Sequence, residues 1–235
     1  MMFRITEHIF DLYPEALVGI VVAREINNRG EQSEITELLR HQEARIIEEF
    51  AAADIARHPC IAGWREAYRK FGAKPQKYHS SVESLLRRVL SGQRIPNINR
   101  LVNIYNAISL KYIIPAGGED LDRIQGSVEL TIAGDAERAI LLLGERDERP
   151  PKKGEVFYKD DLGGICRRWN WREADRTKLT ESTSNALLVV EALNSGERDT
   201  IERAINELVE LIRVYCGGTV WSRIADKTDH AIELL

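Results

Sequence analysis

The apolar period of this chain changes once along its length, and that change constrains its fold more than any other feature. As far as Ile108, apolar residues recur at helical spacing. Ile35, Leu38, Leu39, Ile46, Ile47 and Phe50 form one stripe, and Ile61, Trp64, Ala67, Tyr68 and Phe71 form a second. Val82, Leu85, Leu86, Val89 and Leu90 form a third; Leu101, Val102, Tyr105 and Ile108 form a fourth. Such recurrence puts the side chains on one face of a helix. From Val128 the period falls to two, with Leu130 and Ile132 alternating against Glu129, Thr131 and Ala133, the pattern of a half-buried strand. Glu155 to Lys159 and Ile165 to Arg172 read as further strands, with Gly163-Gly164 as the turn between them. Ala186 to Leu193 is apolar except for Glu191 and reads as a central strand. Helical spacing then returns in Ile201, Ile205, Leu208, Ile212 and Tyr215, ending at Gly217-Gly218.

Helices, then strands, then a helix predict an α+β fold. The expected organisation is a helical N-terminal extension over residues 1–59, packed on a mixed-sheet module over residues 60–235 in one compact unit. Boundary signals agree in part with the periods. Ser33 is placed to cap a helix that His58-Pro59 ends, and Ser80 with Glu83 forms a capping box before a helix closed by Gly92. Asp199 with Glu202 predicts a second capping box, and the charged, proline-bearing stretch from Glu145 to Lys153 a mobile loop.

The chemistry that the sequence excludes is broad. Acidic residues outnumber basic ones, 37 to 33, so any nucleic-acid contact has to be a local patch. Cys60, Cys166 and Cys216 are far apart and form no Cys-x-x-Cys pair; the five histidines show no metal-type spacing. No metal and no cofactor are therefore expected. The chain has no phosphate-binding glycine loop, no dinucleotide fingerprint and no serine nucleophile elbow. It lacks a signal-peptide apolar stretch and any run long enough to span a bilayer, which predicts a cytoplasmic protein without a membrane partner.

One strip concentrates what remains: Cys166-Arg167-Arg168-Trp169-Asn170-Trp171-Arg172. As a strand it would place Cys166, Arg168, Asn170 and Arg172 on one face and Arg167, Trp169 and Trp171 on the other. Guanidiniums suit phosphate or carboxylate, and indoles stack bases. The plainer alternative is a surface strand with tryptophans turned to the core and arginines to water. Glu191 is the other anomaly. A carboxylate in an apolar strand is costly unless paired or functional, and the plain alternatives are a solvent-facing strand end or an arginine partner.

Between Lys74 and Ile124 a longer pattern stands out. Ser80-Ser81-Val82-Glu83-Ser84-Leu85-Leu86-Arg87-Arg88-Val89-Leu90-Ser91-Gly92 leads into Ile95-Pro96-Asn97-Ile98-Asn99. Leu101-Val102-Asn103-Ile104-Tyr105-Asn106 follows, and then Pro115, Asp120 and Ile124. This ordered string resembles the B3/B4 module, the editing domain in the beta subunit of bacterial phenylalanyl-tRNA synthetase, and it looks closer still to stand-alone B3/B4 proteins. The resemblance covers roughly Tyr68 to Leu193. It implies a module that takes the 3′ end of a mischarged tRNA and hydrolyses off the wrong aminoacyl group. The family's pocket asparagine matches Asn106, and its glutamate matches Glu191, which follows Thr183. Its histidine position falls on Gly117, and the threonine before its asparagine is Tyr105 here.

The resemblance thus implies catalytic roles for Glu191 and Asn106. Arg168, Trp169, Asn170, Trp171, Arg172, Tyr105, Gly117 and Thr183 are the expected tRNA or ligand contacts. The expected function is binding of tRNA at its aminoacylated 3′ end. Deacylation of misacylated tRNA in trans is the associated activity, which the glycine at position 117 leaves open. The alternative is a small-molecule binder or sensor that keeps an amino-acid pocket without tRNA editing, with a free amino acid as its partner.

Overall fold

The computed structural model describes residues 1–50 and 54–234. Its helices follow the apolar stripes: α1 (Glu7–Leu12), α2 (Ser33–Phe50), α3 (Pro59–Lys70), α4 (Ser81–Leu90), α5 (Arg100–Tyr112) and α6 (Arg198–Tyr215). Ser80 caps α4 by accepting from the Glu83 N–H at 3.4 Å, and Asn99 caps α5 by accepting from the Val102 N–H at 3.0 Å. Pro59 does not end α2 but opens α3 at its first turn, where a missing N–H is harmless. The capping box expected at Asp199 and Glu202 does not form; Glu197 stands at the cap of α6 without a side-chain hydrogen bond.

Ten strands build two sheets: β1 (Met2–Ile5), β2 (Leu17–Arg24), β3 (Ala116–Asp120), β4 (Val128–Ile132), β5 (Val156–Asp160), β6 (Gly163–Arg167), β7 (Arg172–Glu173), β8 (Ala186–Ala192), β9 (Thr219–Ala225) and β10 (Ala231–Glu233). The larger sheet runs β10-β1-β4-β5-β6-β7 and is mixed, because β1 lies parallel to β4. The smaller runs β3-β8-β2-β9 and is antiparallel throughout. The protein is therefore α+β, as the periods predicted.

The N-terminal part differs from the helical extension expected over residues 1–59. Among the described residues there, only α1, α2 and a short turn are helical before α3 opens at Pro59; β1 and β2 sit inside the two sheets. Leu17–Ala23 is buried on both faces, the signature of a central strand covered on two sides. Gly163 and Gly164 also differ from expectation. They begin β6, while the turn falls on Asp161-Leu162. A Cβ on Gly164 would lie 2.0 Å from the Ile140 Cδ1 atom, so the glycine admits a close approach that any side chain would block.

The two sheets face each other across an apolar core that includes Phe3, Ile5, Val18, Ile20, Leu130 and Val156. The opposite face of the smaller sheet, with Val21, Leu188 and Val190, packs on α5 and α6. A third cluster joins α2, α4 and α5 through Leu39, Ile46, Val82, Leu86 and Leu110. Alternation along β8 therefore divides its side chains: Leu188, Val190 and Ala192 face the helices, while Leu187, Val189 and Glu191 face the space between the sheets.

Candidate functional site

One end of that space is unfilled. A cavity of about 210 Å³ lies between the sheets, walled by β3 and β8 on one side and by β5, β6 and β7 on the other. Its lining is largely apolar, with Leu187, Val189, Ile165 and Trp169 among the walls. Three carboxylates interrupt that lining: Glu119, Glu173 and Glu191.

Glu191 is 1 % exposed and has neither a solvent face nor an arginine partner. Instead its Oε1 accepts from the Tyr158 hydroxyl at 2.6 Å and its Oε2 from the Asn170 amide at 2.8 Å. The Asn170 Oδ1 in turn accepts from the Tyr68 hydroxyl at 3.0 Å, which fixes the orientation of the amide. Burial raises the Glu191 pKa to about 7, against the opposing effect of the Tyr158 and Asn170 donors. The group is held in place and poised between its charged and neutral forms.

The strip from Cys166 to Arg172 does not form the continuous strand that the sequence suggests. After β6 the backbone enters the left-handed region at Arg168 (φ 49°) and Trp169 (φ 64°), and β7 returns to pair Arg167 with Arg172 and Cys166 with Glu173. Residues of this kind in that region cost about 1–3 kcal/mol each and persist only where the surroundings enforce them. Here Trp169 enforces the turn. It is fully buried, with Trp64 and Tyr13 packed edge-on at centroid distances of 5.0 and 4.8 Å.

The reversal redistributes the strip's chemistry. Arg167 points into a buried bidentate ion pair with Glu155, at 2.8 and 2.7 Å. The Arg168 guanidinium stacks on Tyr78 and Trp171, 3.8 and 4.5 Å from their ring centroids. Only Arg172 remains exposed, at the cavity wall, where it donates to Glu145 at 3.3 Å. Trp169, Asn170 and Trp171 all line the cavity, Trp171 with part of its surface exposed. Cys166 lines it too, and burial pushes its thiol pKa well up, so it stays a neutral thiol.

The residues singled out by the resemblance separate. Glu191 and Gly117 both line the cavity, Gly117 pairing with Val189 across the β3–β8 ladder. Asn106 lies half-buried on α5 and does not line it. Tyr105 is buried beside it on α5, near enough to Glu173 and Glu119 for their charges to add to the burial that raises its phenol pKa. Thr183 is held outside the cavity, donating to Asp120 at 2.6 Å and accepting from the Thr180 N–H at 3.0 Å.

Sequence reasoning missed three polar groups of the site. Ser81, in the first turn of α4, lines the cavity with a buried hydroxyl that has no partner among the described residues. Glu119 on β3 is 7 % exposed, and its Oε2 likewise has no partner among them. Glu173 on β7 accepts from the Gly118 N–H at 3.3 Å, and burial raises its pKa to about 7. The Glu119 pKa is likewise raised, first through burial and then through the charge of Glu173. No isolated signal in the sequence marks these residues; strand pairing brings them together. Among the described residues no cluster could hold a metal ion, and no helix is long and apolar enough to cross a membrane.

Comparison with solved structures finds similarity to an N-terminal fragment of the phenylalanyl-tRNA synthetase beta subunit from Pyrococcus horikoshii. The similarity has a TM-score of 0.48 and 13 % identity, covering 94 % of this chain and 53 % of that one. The chain thus spans about half the length of that fragment. No curated protein matches. The sequence model of the B3/4 domain matches residues 63–217, which carry β3 to β8, the Arg168-Trp169 turn and all three cavity carboxylates, and the chain accordingly belongs to the B3/4 domain family.

Proposed function

We propose that the chain recognises an aminoacyl group in the cavity between its sheets, delivered as the charged 3′ end of a tRNA. The observation that carries this reading is Glu191: a buried carboxylate fixed by two donors among the cavity's apolar walls, with a pKa of about 7. A carboxylate in such a place reads an amino group by charge and hydrogen bond, and the apolar walls accept the remainder of the ligand. The same pKa suits a base that takes a proton from water near neutral pH, so hydrolysis of the aminoacyl ester is the reaction to test. Gly117 supplies no side chain to help position that water. Membership of the B3/4 family supports the tRNA part of the proposal.

A mobility-shift comparison of charged and uncharged tRNA at low salt tests the binding, with Val189→Phe as the variant that fills the cavity. Preference for charged tRNA that disappears in the variant is the expected result. Equal affinity for the two forms in the native protein overturns the proposal. Release of amino acid from mischarged tRNA, with Glu191→Gln as the control, tests the hydrolysis.

One observation favours a second reading, a free amino acid as ligand. Arg167 is committed to Glu155 and Arg168 to an aromatic stack, leaving one exposed guanidinium in the strip. With a net charge of −4, that is a weak footprint for a polyanion. Thermal stabilisation by free amino acids, without any tRNA shift, is its signature.

A further inference from the structure

The cavity has a second acidic pole that the recognition of an amino group leaves unused. Glu191 stands at one end of the inter-sheet face of β8. Glu119 pairs with Leu187 four residues away along the same ladder, about 13 Å of strand. Gly117, between them on β3, presents no side chain, and Glu173 uses the space: its Oε1 lies 3.2 Å from where a Cβ at position 117 would sit. Glu119 and Glu173 therefore form a pair facing the cavity from β3 and β7.

This pair has no salt-bridge partner among the described residues; burial raises both pKa values, and at Glu119 the Thr177 hydroxyl and the more distant charge of Arg176 only partly oppose it. Glu119 Oε2 is buried without a partner among the described residues, and Glu173 has only the Gly118 N–H at 3.3 Å. The charged groups around it are committed elsewhere. Arg172 binds Glu145, and Arg176 donates to both oxygens of Asp160. Ionising the buried Glu119 or the half-buried Glu173 in this apolar wall is costly without a cation, and a buried acceptor without a donor adds to that cost. A ligand that brings a cation or an N–H donor to this end relieves both.

We propose that the cavity selects a ligand with a nitrogen at each end: an α-amino group at Glu191 and a cationic side-chain terminus, of the lysine or ornithine class, at Glu119 and Glu173. The inference rests on the reading of the cavity as an aminoacyl or amino-acid site, and it names the side-chain class. The apolar walls between the poles, Leu187 and Val189, meet the methylene stem of such a side chain.

The probes are the methyl esters of L-lysine, L-norleucine and L-phenylalanine, titrated by calorimetry into the full chain. Norleucine keeps the lysine stem but lacks the terminal amine. The expected result is lysine ester binding about ten-fold tighter than norleucine ester or better. The double variant Glu119→Gln, Glu173→Gln should bring the two esters to parity without weakening norleucine. Norleucine or phenylalanine ester binding as tightly as lysine ester overturns the proposal, and that comparison needs only the native protein. Loss of both esters in the double variant is settled by Glu173→Gln alone: an unchanged lysine-to-norleucine ratio there overturns the proposal, and a reduced one supports it. If charged tRNA binds but no ester preference for lysine exists, the second pole is refuted while the aminoacyl reading stands.

Discussion

Replacing Glu191 by glutamine changes one oxygen for an amide nitrogen in the most tightly specified part of the cavity. Tyr158 can still donate to the remaining oxygen. The new amide faces the Asn170 amide, donor against donor, until Asn170 turns over, and Tyr68 must then accept where it now donates. Such a concerted rearrangement costs about 1–2 kcal/mol in a buried network. Against this stands the ionisation of the native group. Its pKa is 4.5 when unfolded and about 7 when folded. Because the folded value is the higher, the stability associated with the neutral carboxyl is fully present below pH 4.5 and is lost as pH rises through 7. The gap amounts to about 3 kcal/mol in total, of which about 2–3 kcal/mol falls between pH 5 and pH 8. Glutamine does not titrate. The variant should therefore be less stable than the native protein near pH 5 and equal or more stable near pH 8, a relative shift of roughly 5–10 °C in Tm for a chain of this size. Urea unfolding of both proteins at several pH values measures it. A stability difference that stays constant from pH 5 to pH 8 would show that Glu191 does not carry the raised pKa, and the argument for a poised carboxylate would fail with it.

Other outcomes follow from the same geometry. Arg167→Met removes the bidentate partner of buried Glu155, leaving it the Arg168 N–H at 3.2 Å and the Arg168 guanidinium at 3.9 Å, and should destabilise the protein by about 3 kcal/mol in urea unfolding. Gly118→Ala forces a Cβ to 2.3 Å from Leu188 and 3.2 Å from the Leu187 carbonyl, for a predicted loss of about 1–3 kcal/mol. Gly117→Ala meets only the movable end of Glu173 and should stay within about 1 kcal/mol of the native protein. Gly19→Ala brings a Cβ to 2.6 and 2.7 Å from the methyls of Ile205 and Ile201 on α6, and thermal unfolding should show a lowered Tm.

The sequence made some elements plain for physical reasons and hid others for equally physical ones. α4 and α5 carry both a stripe and a capping side chain, two signals that agree. β8 was visible because a strand covered on both faces is apolar on both, here at every position but Glu191. β1 has only four residues, too few for alternation to register, and β3 reads Ala-Gly-Gly-Glu-Asp, a composition that suggests a turn and becomes a strand only through its pairing with β8. The strip at 166–172 failed as a strand because left-handed backbone at an arginine and a tryptophan has no local signature; burial of Trp169 between Trp64 and Tyr13 decides it. Glu191 was legible as an anomaly, since a single carboxylate interrupts an apolar run. Glu119 and Glu173 were not, because each sits in a polar stretch and gains meaning only from a cavity assembled by segments far apart in the chain.

The placement of β1 and β2 bears on how the chain reaches this state. Phe3 pairs with Ile232 and Ala23 with Val220, so one edge of β1 and one edge of β2 are closed by strands from the far end of the described sequence. Contacts this distant must be closed against the entropy of the whole intervening chain, which makes folding slow. Without β9, Leu17–Ala23 keeps β8 on one edge and leaves the other unpaired, a hydrophobic edge of the kind that associates with other chains. The matched stretch 63–217 excludes β1, β2, β9 and β10, and with them the middle of one sheet and an edge of each. Excised, it would leave β8 without its neighbour β2 and β4 without β1, and that fragment should be more protease-sensitive than residues 1–235 together.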